Sequence, residues 1–260
     1  MGDGTLMFRF SDRVSAFDVQ FYDIIPRKGE VLCKFAQYWF RNISVPNHFV
    51  CSLSDTEMLV KKMDMIPLEC VVRGYLYGSL MSRFKNNQVE LPPNSDTELA
   101  SQLASPIFDP TTKSKHDRPI SRQYAIESGL VTAHQYDTLS DVSISIYKTM
   151  AKQVDAAGFI LADLKLEFGI MDGQILLGDS IGPDEYRLWP KDSYVIGQRQ
   201  DSYDKQILRD WLVEAGWEKK FQDDLSLGVE SQPPDIPSDI SEKITARYIS
   251  SYAAITGLDI

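Results

Sequence analysis

Polar and apolar positions alternate most clearly along residues 161–169, where Asp163, Lys165 and Glu167 interleave with Leu164, Leu166 and Phe168. A period of two predicts a strand with one apolar face and one ionisable face. Met171-Asp172-Gly173 follows with a hairpin signal, because Asp-Gly tolerates positive φ. The return run Ile175-Leu176-Leu177 is apolar and ends at Gly178-Asp179. A strict two-residue turn would pair Asp179 with Leu166, on the apolar face. A three-residue loop, a bulge, or a strand ending at Gly178 would return Asp179 to the side of Glu167, and one of these three is expected.

The remaining patterns are coarser. Residues 5–10 read as a strand, followed by the polar Ser11-Asp12-Arg13. Residues 31–42 carry helix-compatible spacing through Leu32, Phe35, Ala36, Trp39 and Phe40. Residues 58–63 and 68–75 read as strands around the connector Asp64-Met65-Ile66-Pro67, a hinge between two lobes. Residues 92–116 are rich in Pro, Ser, Thr and Asp and read as loop. Residues 124–157 read as mostly helical, with Ile146, Met150 and Val154 on one face. Residues 190–204 read as a polar loop, 205–215 as a helix, 228–237 as a loop and 240–256 as a closing amphipathic helix. Strands dominate early and helices late, so the expected class is α+β, with lobes at 1–66 and 67–260.

Composition narrows the setting. The chain has 260 residues, 43% hydrophobic and 25% charged, as an ordinary soluble globular protein does. No apolar run approaches the ~20 residues that span a bilayer. Met1-Gly2-Asp3-Gly4 lacks the layout of a secretion signal. Cys33, Cys51 and Cys70 are odd in number and widely spaced, which suggests neither a disulfide framework nor a zinc site, and a cytoplasmic location is expected. The formal charge of −10 argues against a nucleic-acid partner. It leaves anionic small substrates open, because a local basic pocket can oppose the global field.

Several constellations carry candidate chemistry, each beside a plainer reading. Acid, base and acid on one strand face suit phosphoryl transfer, which needs a proton acceptor, a cation for phosphate oxygens and a carboxylate for magnesium. The same run also describes a solvated amphipathic strand. Asp179, just past a buried strand, is a candidate second metal ligand. Arg73 and Ser79 stand six apart around Gly74 and Gly78, where backbone and forked donors can meet an oxyanion; alone, Arg73 also fits a surface turn. The loop at 106–117 holds hydroxyls, Lys113, Lys115, His116 and Asp117, and is either a binding loop or an exposed polar one. His116 has no partner at metal-ligand spacing. Asp184 and Arg187 can share a pocket with Asp179, and Lys205 and Arg209 share a helix face; either pair also fits surface ion pairing.

Taken in order, these segments resemble the SAICAR synthetase (phosphoribosylaminoimidazole-succinocarboxamide synthase) family. The matching stretches include Ser11-Asp12-Arg13-Val14-Ser15-Ala16-Phe17-Asp18, Ile25-Pro26-Arg27-Lys28-Gly29, Val71-Val72-Arg73-Gly74-Tyr75-Leu76, Gly78-Ser79 and Pro110-Thr111-Thr112-Lys113. Residues 161–169, Gly178-Asp179, Arg187-Leu188-Trp189 and Asp204-Lys205-Gln206 continue the series. The resemblance implies a two-lobed fold with antiparallel sheets, flanking helices and a distantly kinase-like nucleotide cleft. It implies ligation of L-aspartate to the carboxylate of carboxyaminoimidazole ribotide, driven by ATP through an acyl phosphate, with Mg²⁺.

Residue by residue, it implies ribotide contacts at Arg73, Ser79, Asp163, Asp184, Arg187 and Arg209. Nucleotide contacts fall on Met65, Lys113, Lys165, Glu167 and Asp179, and metal ligation on Glu167 and Asp179. Asp117 falls in the aspartate-handling loop, and Asp163 and Lys165 are the catalytic candidates. Relative to the family pattern, the chain starts inside the second strand of a unit that covers the ATP phosphates. Weak ATP binding and an exposed strand at 5–10 are therefore expected. Arg118 and Ser180 stand where acids are usual. Two alternatives remain: an inositol-polyphosphate-kinase-like enzyme, on the Asp163-x-Lys165 and Asp179 layout, and a non-catalytic nucleotide- or ribotide-binding module.

Overall fold

The alternating run becomes a 13-residue strand around which the other elements are arranged. The computed structural model describes residues 4–17, 19–113, 117–229 and 231–260. The chain opens with β1 (Thr5–Arg9), β2 (Arg13–Ala16), β3 (Val19–Ile24), α1 (Lys28–Asn42), β4 (Phe49–Ser54) and β5 (Glu57–Lys61). Then come β6 (Asp64–Met65), β7 (Leu68–Tyr75), α2 (Gly78–Lys85), β8 (Gln102–Phe108) and β9 (Thr111–Thr112). Helices α3 (Arg122–Glu127) and α4 (Ala133–Ala156) lead into β10 (Phe159–Met171), β11 (Gln174–Gly178) and β12 (Tyr186–Pro190). Helices α5 (Gln206–Glu214), α6 (Trp217–Ser226) and α7 (Ser238–Thr256) end the described elements.

A small antiparallel sheet has the order β1-β5-β4, so β1 is an edge strand among the described residues. The large sheet runs β11-β10-β7-β8, with β12 and β6 also pairing β10, and β9 pairing β7. The class is α+β. One apolar core continues across residues 66 and 67. It joins Phe35 and Trp39 of α1 and Met58 and Val60 of β5 to Leu164 and Leu166 of β10 and Met150 of α4. Each such side chain, fully buried, contributes roughly 1.5–3 kcal/mol. No described helix is long and apolar enough to cross a membrane.

Local chemistry explains several boundaries. Thr132 and Gln135 form a reciprocal capping box that starts α4. Gly74 admits the hydroxyl of Tyr147: a Cβ there would lie 1.8 Å from that oxygen. The hydroxyl donates to the Leu161 carbonyl at 2.6 Å, so α4 is tied to β10 across β7. Gly74 therefore serves packing rather than approach to an oxyanion.

Other expectations need correction. Residues 92–116 are not all loop, since β8 and β9 lie within them. Strand β8 contains Pro106 and buries only Leu103, so its periodicity is weak. It forms because β7 offers an open edge, and an edge strand tolerates proline. The connector at 64–67 is not a free hinge, because β6 pairs with β10 through Gly169 and Met65. Helices α2 and α6 and strand β12 also escaped the pattern reading.

Candidate active site

The hairpin between β10 and β11 keeps the strict register, Met171 opposite Gln174 and Glu167 opposite Gly178. Asp172 and Gly173 adopt φ of 52° and 74°, as a tight two-residue turn requires. The register conflict is resolved at the far end. The strand stops at Gly178, and Asp179 takes a left-handed φ of 54°. Alternation is broken there, and the Asp179 carboxyl comes near enough to Glu167 to feel its charge. Of the three routes foreseen, the ending strand is the one used.

Strand β10 spaces its charges at roughly 6.6 Å intervals, two residues of strand rise each. Asp163 is directly opposite Arg73 of β7 on one side and Arg187 of β12 on the other. A cation, an anion and a cation thus lie in one row across three strands. Arg187 donates to Asp163, and Arg73 Nη1 is 3.8 Å from the same oxygen. Arg73 also donates through Nη2 to Ser79 Oγ, at 3.1 Å, and through Nε to Asp109, which Arg83 shares. The Arg187 guanidinium sits over the Tyr77 ring, 5.3 Å from its centre. Burial works against the Arg187 charge, but Asp163, Asp204 and Tyr77 together hold its pKa above the ordinary value.

A cavity of about 350 Å³ opens over this row. Arg73, Ser79, Asp163, Lys165, Asp184, Arg187, Arg209 and Asp117 all line it. All six residues expected around the ribotide therefore meet at one cavity. Asp184 is gripped by Lys28 at 2.7 Å, Lys205 at 2.9 Å and the Tyr248 hydroxyl at 3.0 Å. Burial opposes its ionisation, yet the two lysines hold its pKa below the ordinary range. Lys165 reaches Glu69 at 2.9 Å, and Thr111 donates to the other oxygen of Glu69 at 2.9 Å. Burial disfavours the Lys165 ammonium, but Glu69 raises its pKa, so it remains a cation. The loop residue Asp117 also reaches Glu69.

Glu167 and Asp179 form a second centre farther along β10. Glu167 is 5% exposed and accepts from Lys113, whose side chain is 46% exposed. Burial and then the neighbouring Glu167 push Asp179 up to about 6. Two hard oxygen donors share a buried position with one loop lysine opposite them, an arrangement that suits a divalent cation such as Mg²⁺. Met65 is farther still, 42% exposed on β6. Met65, Lys113, Glu167 and Asp179 are not among the residues lining the cavity over the Asp163 row. Ser114, Lys115 and His116, and Asp18 of the N-terminal motif, lie outside the described residues.

Pattern reading missed Lys28, Glu69, Arg83, Asp109, Glu185 and Asp204. The buried partners Glu69 and Asp109 had a faint signal, each being an acid within an apolar stretch. Burial, then Asp184 and Asp179, push Glu185 up to about 8, and its Oε2 is buried without a described partner. Asp204 is buried beside Arg187, receives the Ser202 hydroxyl at 2.7 Å, and accepts the Gln206 N–H at the start of α5.

An antiparallel α+β scaffold that gathers sequence-distant arginines, lysines and paired carboxylates in one cleft defines a small-molecule enzyme acting on anionic substrates. The family model described as SAICAR synthetase matches residues 1–224. The phosphoribosylaminoimidazole-succinocarboxamide synthase of Nitrosopumilus maritimus is 61% identical over 98% of this chain and 93% of its own. That of Corynebacterium ammoniagenes is 36% identical over 98% and 89%. The solved SAICAR synthase from Saccharomyces cerevisiae complexed with SAICAR superposes with a TM-score of 0.85 at 32% identity, covering 100% of this chain and 91% of that one. The chain belongs to the SAICAR synthetase family. It is a ligase of purine biosynthesis that joins aspartate to the ribotide at the cost of ATP, and family membership sets aside the kinase-like alternative.

Proposed function

We propose that the cavity over the Arg73–Asp163–Arg187 row holds carboxyaminoimidazole ribotide, with the nucleotide and its cation on the Glu167–Asp179 side. The observation that carries this is the convergence of Arg73, Ser79, Asp163, Asp184, Arg187 and Arg209 on one cavity. The yeast relative was solved in complex with SAICAR, which supports a ribotide ligand for this fold. Arg73, Ser79 and Arg209 hold its phosphate. Asp163, Asp184 and Arg187 orient the rest, with Asp163 nearest the carboxylate to be activated. Met65 lies against the adenine, Lys113 and Lys165 meet nucleotide phosphates, and Asp117 handles the aspartate substrate. The lobes divide at 66 and 67, and a cytoplasmic setting fits an enzyme of small soluble substrates.

A carboxylate repels an attacking nucleophile and has no usable leaving group. Transfer of the γ-phosphoryl group breaks its bond to ADP and forms one to a ribotide carboxylate oxygen. The aspartate amine, having lost its ammonium proton, then attacks the acyl carbon, and phosphate leaves with the C–O bond. Lys165 is held as an ammonium by Glu69, so it acts as a fixed positive charge for the transferring group and not as a base. Glu167 and Asp179 would hold Mg²⁺, which supplies charge neutralisation at the phosphates. Phosphate release measured with each substrate omitted in turn tests the function. Release only with ATP, ribotide and aspartate together is expected; full release without aspartate would overturn it.

A further inference from the structure

The chain has 37 acidic residues against 27 Lys and Arg. At long range its field repels a ribotide that bears a phosphate and a carboxylate. The cavity over the Asp163 row does little to reverse this, since six acidic residues line it against five basic ones. A second cavity, of about 730 Å³, adjoins the first and shares Ser79, Arg187 and Arg209 with it. Here the balance turns over: Lys85, Arg187, Arg199 and Arg209 stand against Asp210 and Glu218. Arg187 is already taken up by Asp163, and Arg209 belongs to the shared boundary. Lys85 and Arg199 are left over. Both are exposed, and neither forms a hydrogen bond or ion pair through its side chain among the described residues.

Their places in the chain fix what they can do. Lys85 ends α2, whose first turn carries Ser79, so the two Cα atoms are roughly 9 Å apart along the axis. Six positions is not a same-face spacing on a helix, so Lys85 does not join Ser79 in one grip. It stands about one Debye length away, ~8–10 Å, where an exposed charge still attracts. Arg199 comes from the loop between β12 and α5 and reaches the same cavity from the other side of the sequence.

We propose that the second cavity is the ribotide's entry route, with Lys85 and Arg199 drawing the dianionic phosphate to its mouth. The phosphate subsite at Ser79 and Arg209 lies where the cavities join. The imidazole end therefore moves inward first, and the phosphate passes from the exposed pair to the shared residues. The pair speeds capture and takes no part in phosphoryl transfer. This inference rests on the ribotide occupying the first cavity.

Steady-state turnover with the ribotide varied, at several ionic strengths, is the test. In Lys85→Gln/Arg199→Gln we expect kcat/KM for the ribotide to fall about 10-fold at low salt, with kcat and the Michaelis constant for ATP unchanged. The deficit should shrink to under about twofold at about 0.5 M salt, where screening confines each charge to a few ångströms. Lys85→Glu/Arg199→Glu should deepen it at low salt. Lys148→Gln/Lys152→Gln removes the same net charge through exposed lysines of α4 and should leave kcat/KM unchanged. Unaltered kcat/KM in Lys85→Gln/Arg199→Gln at low salt would overturn the entry route. So would an equal loss in the α4 variant, or a loss that persists at high salt. Arg73→Ala separates the two ideas. A raised ribotide Michaelis constant there, with no low-salt effect at Lys85 and Arg199, removes the route alone. An unchanged one withdraws the first cavity as the ribotide's site, and the route with it.

Discussion

The two ends of β10 treat charge differently. At Asp163 three carboxylates each carry two cations: Arg187 and Arg73 on Asp163, Arg73 and Arg83 on Asp109, Lys28 and Lys205 on Asp184. At Glu167 two carboxyls face each other, and the lysine that answers them comes from a loop and is half exposed. These three carboxylates are paired before any substrate arrives. The second end sets one lysine against two carboxyls, which leaves room for the cation proposed there. Opposite charges hold one end rigid, whereas like charges leave the other poised to bind.

Neutralising one carboxylate at each end should therefore act in opposite directions. Asp163→Asn leaves two buried guanidinium groups underpaired and should destabilise the fold by about 3–5 kcal/mol, read from urea unfolding. Asp179→Asn removes a repulsion and should raise the urea midpoint in metal-free buffer, while turnover drops about 100-fold or more. If both variants shift stability the same way, the contrast between the ends is broken.

Arg73→Ala should weaken ribotide binding by roughly 2–4 kcal/mol, since one forked contact to a phosphate is lost and Asp109 loses a partner. An unchanged Michaelis constant for the ribotide would remove Arg73 from the phosphate site.

Glu185 lies between the ends and feels both Asp184 and Asp179. Its carboxyl is pushed from the ordinary 4.5 up to about 8 in the fold. Between those values the folded chain keeps a proton that the unfolded chain loses, so this group lowers stability as pH rises through the window. Glu185→Gln should flatten the decline, and its advantage over the unaltered chain should grow from acid to mildly alkaline pH. Parallel urea midpoints across that range would show that Glu185 ionises freely.

The smallest expected change in stability is that of Lys113→Ala. An exposed loop lysine contributes under about 1 kcal/mol to the fold. Its removal should instead raise the Michaelis constant for ATP, with that for the ribotide unchanged.

Much of this was legible in the chain. Alternation in residues 161–169 predicted the strand, its charged face and the order Asp163, Lys165, Glu167, because side-chain direction in a strand depends only on parity. The Asp172-Gly173 turn followed from φ preferences that are local. Tertiary structure alone decided what parity could not. The reversal at Asp179 needed the strand to end at Gly178 and a left-handed backbone at the next residue. The strand character of β8 needed the open edge of β7. The partners Glu69, Asp109, Lys28 and Lys205 needed the folded sheet to bring distant charges within hydrogen-bond reach. Periodicity is a property of neighbours along the chain, whereas charge pairing and the aim of a carboxylate depend on neighbours in space.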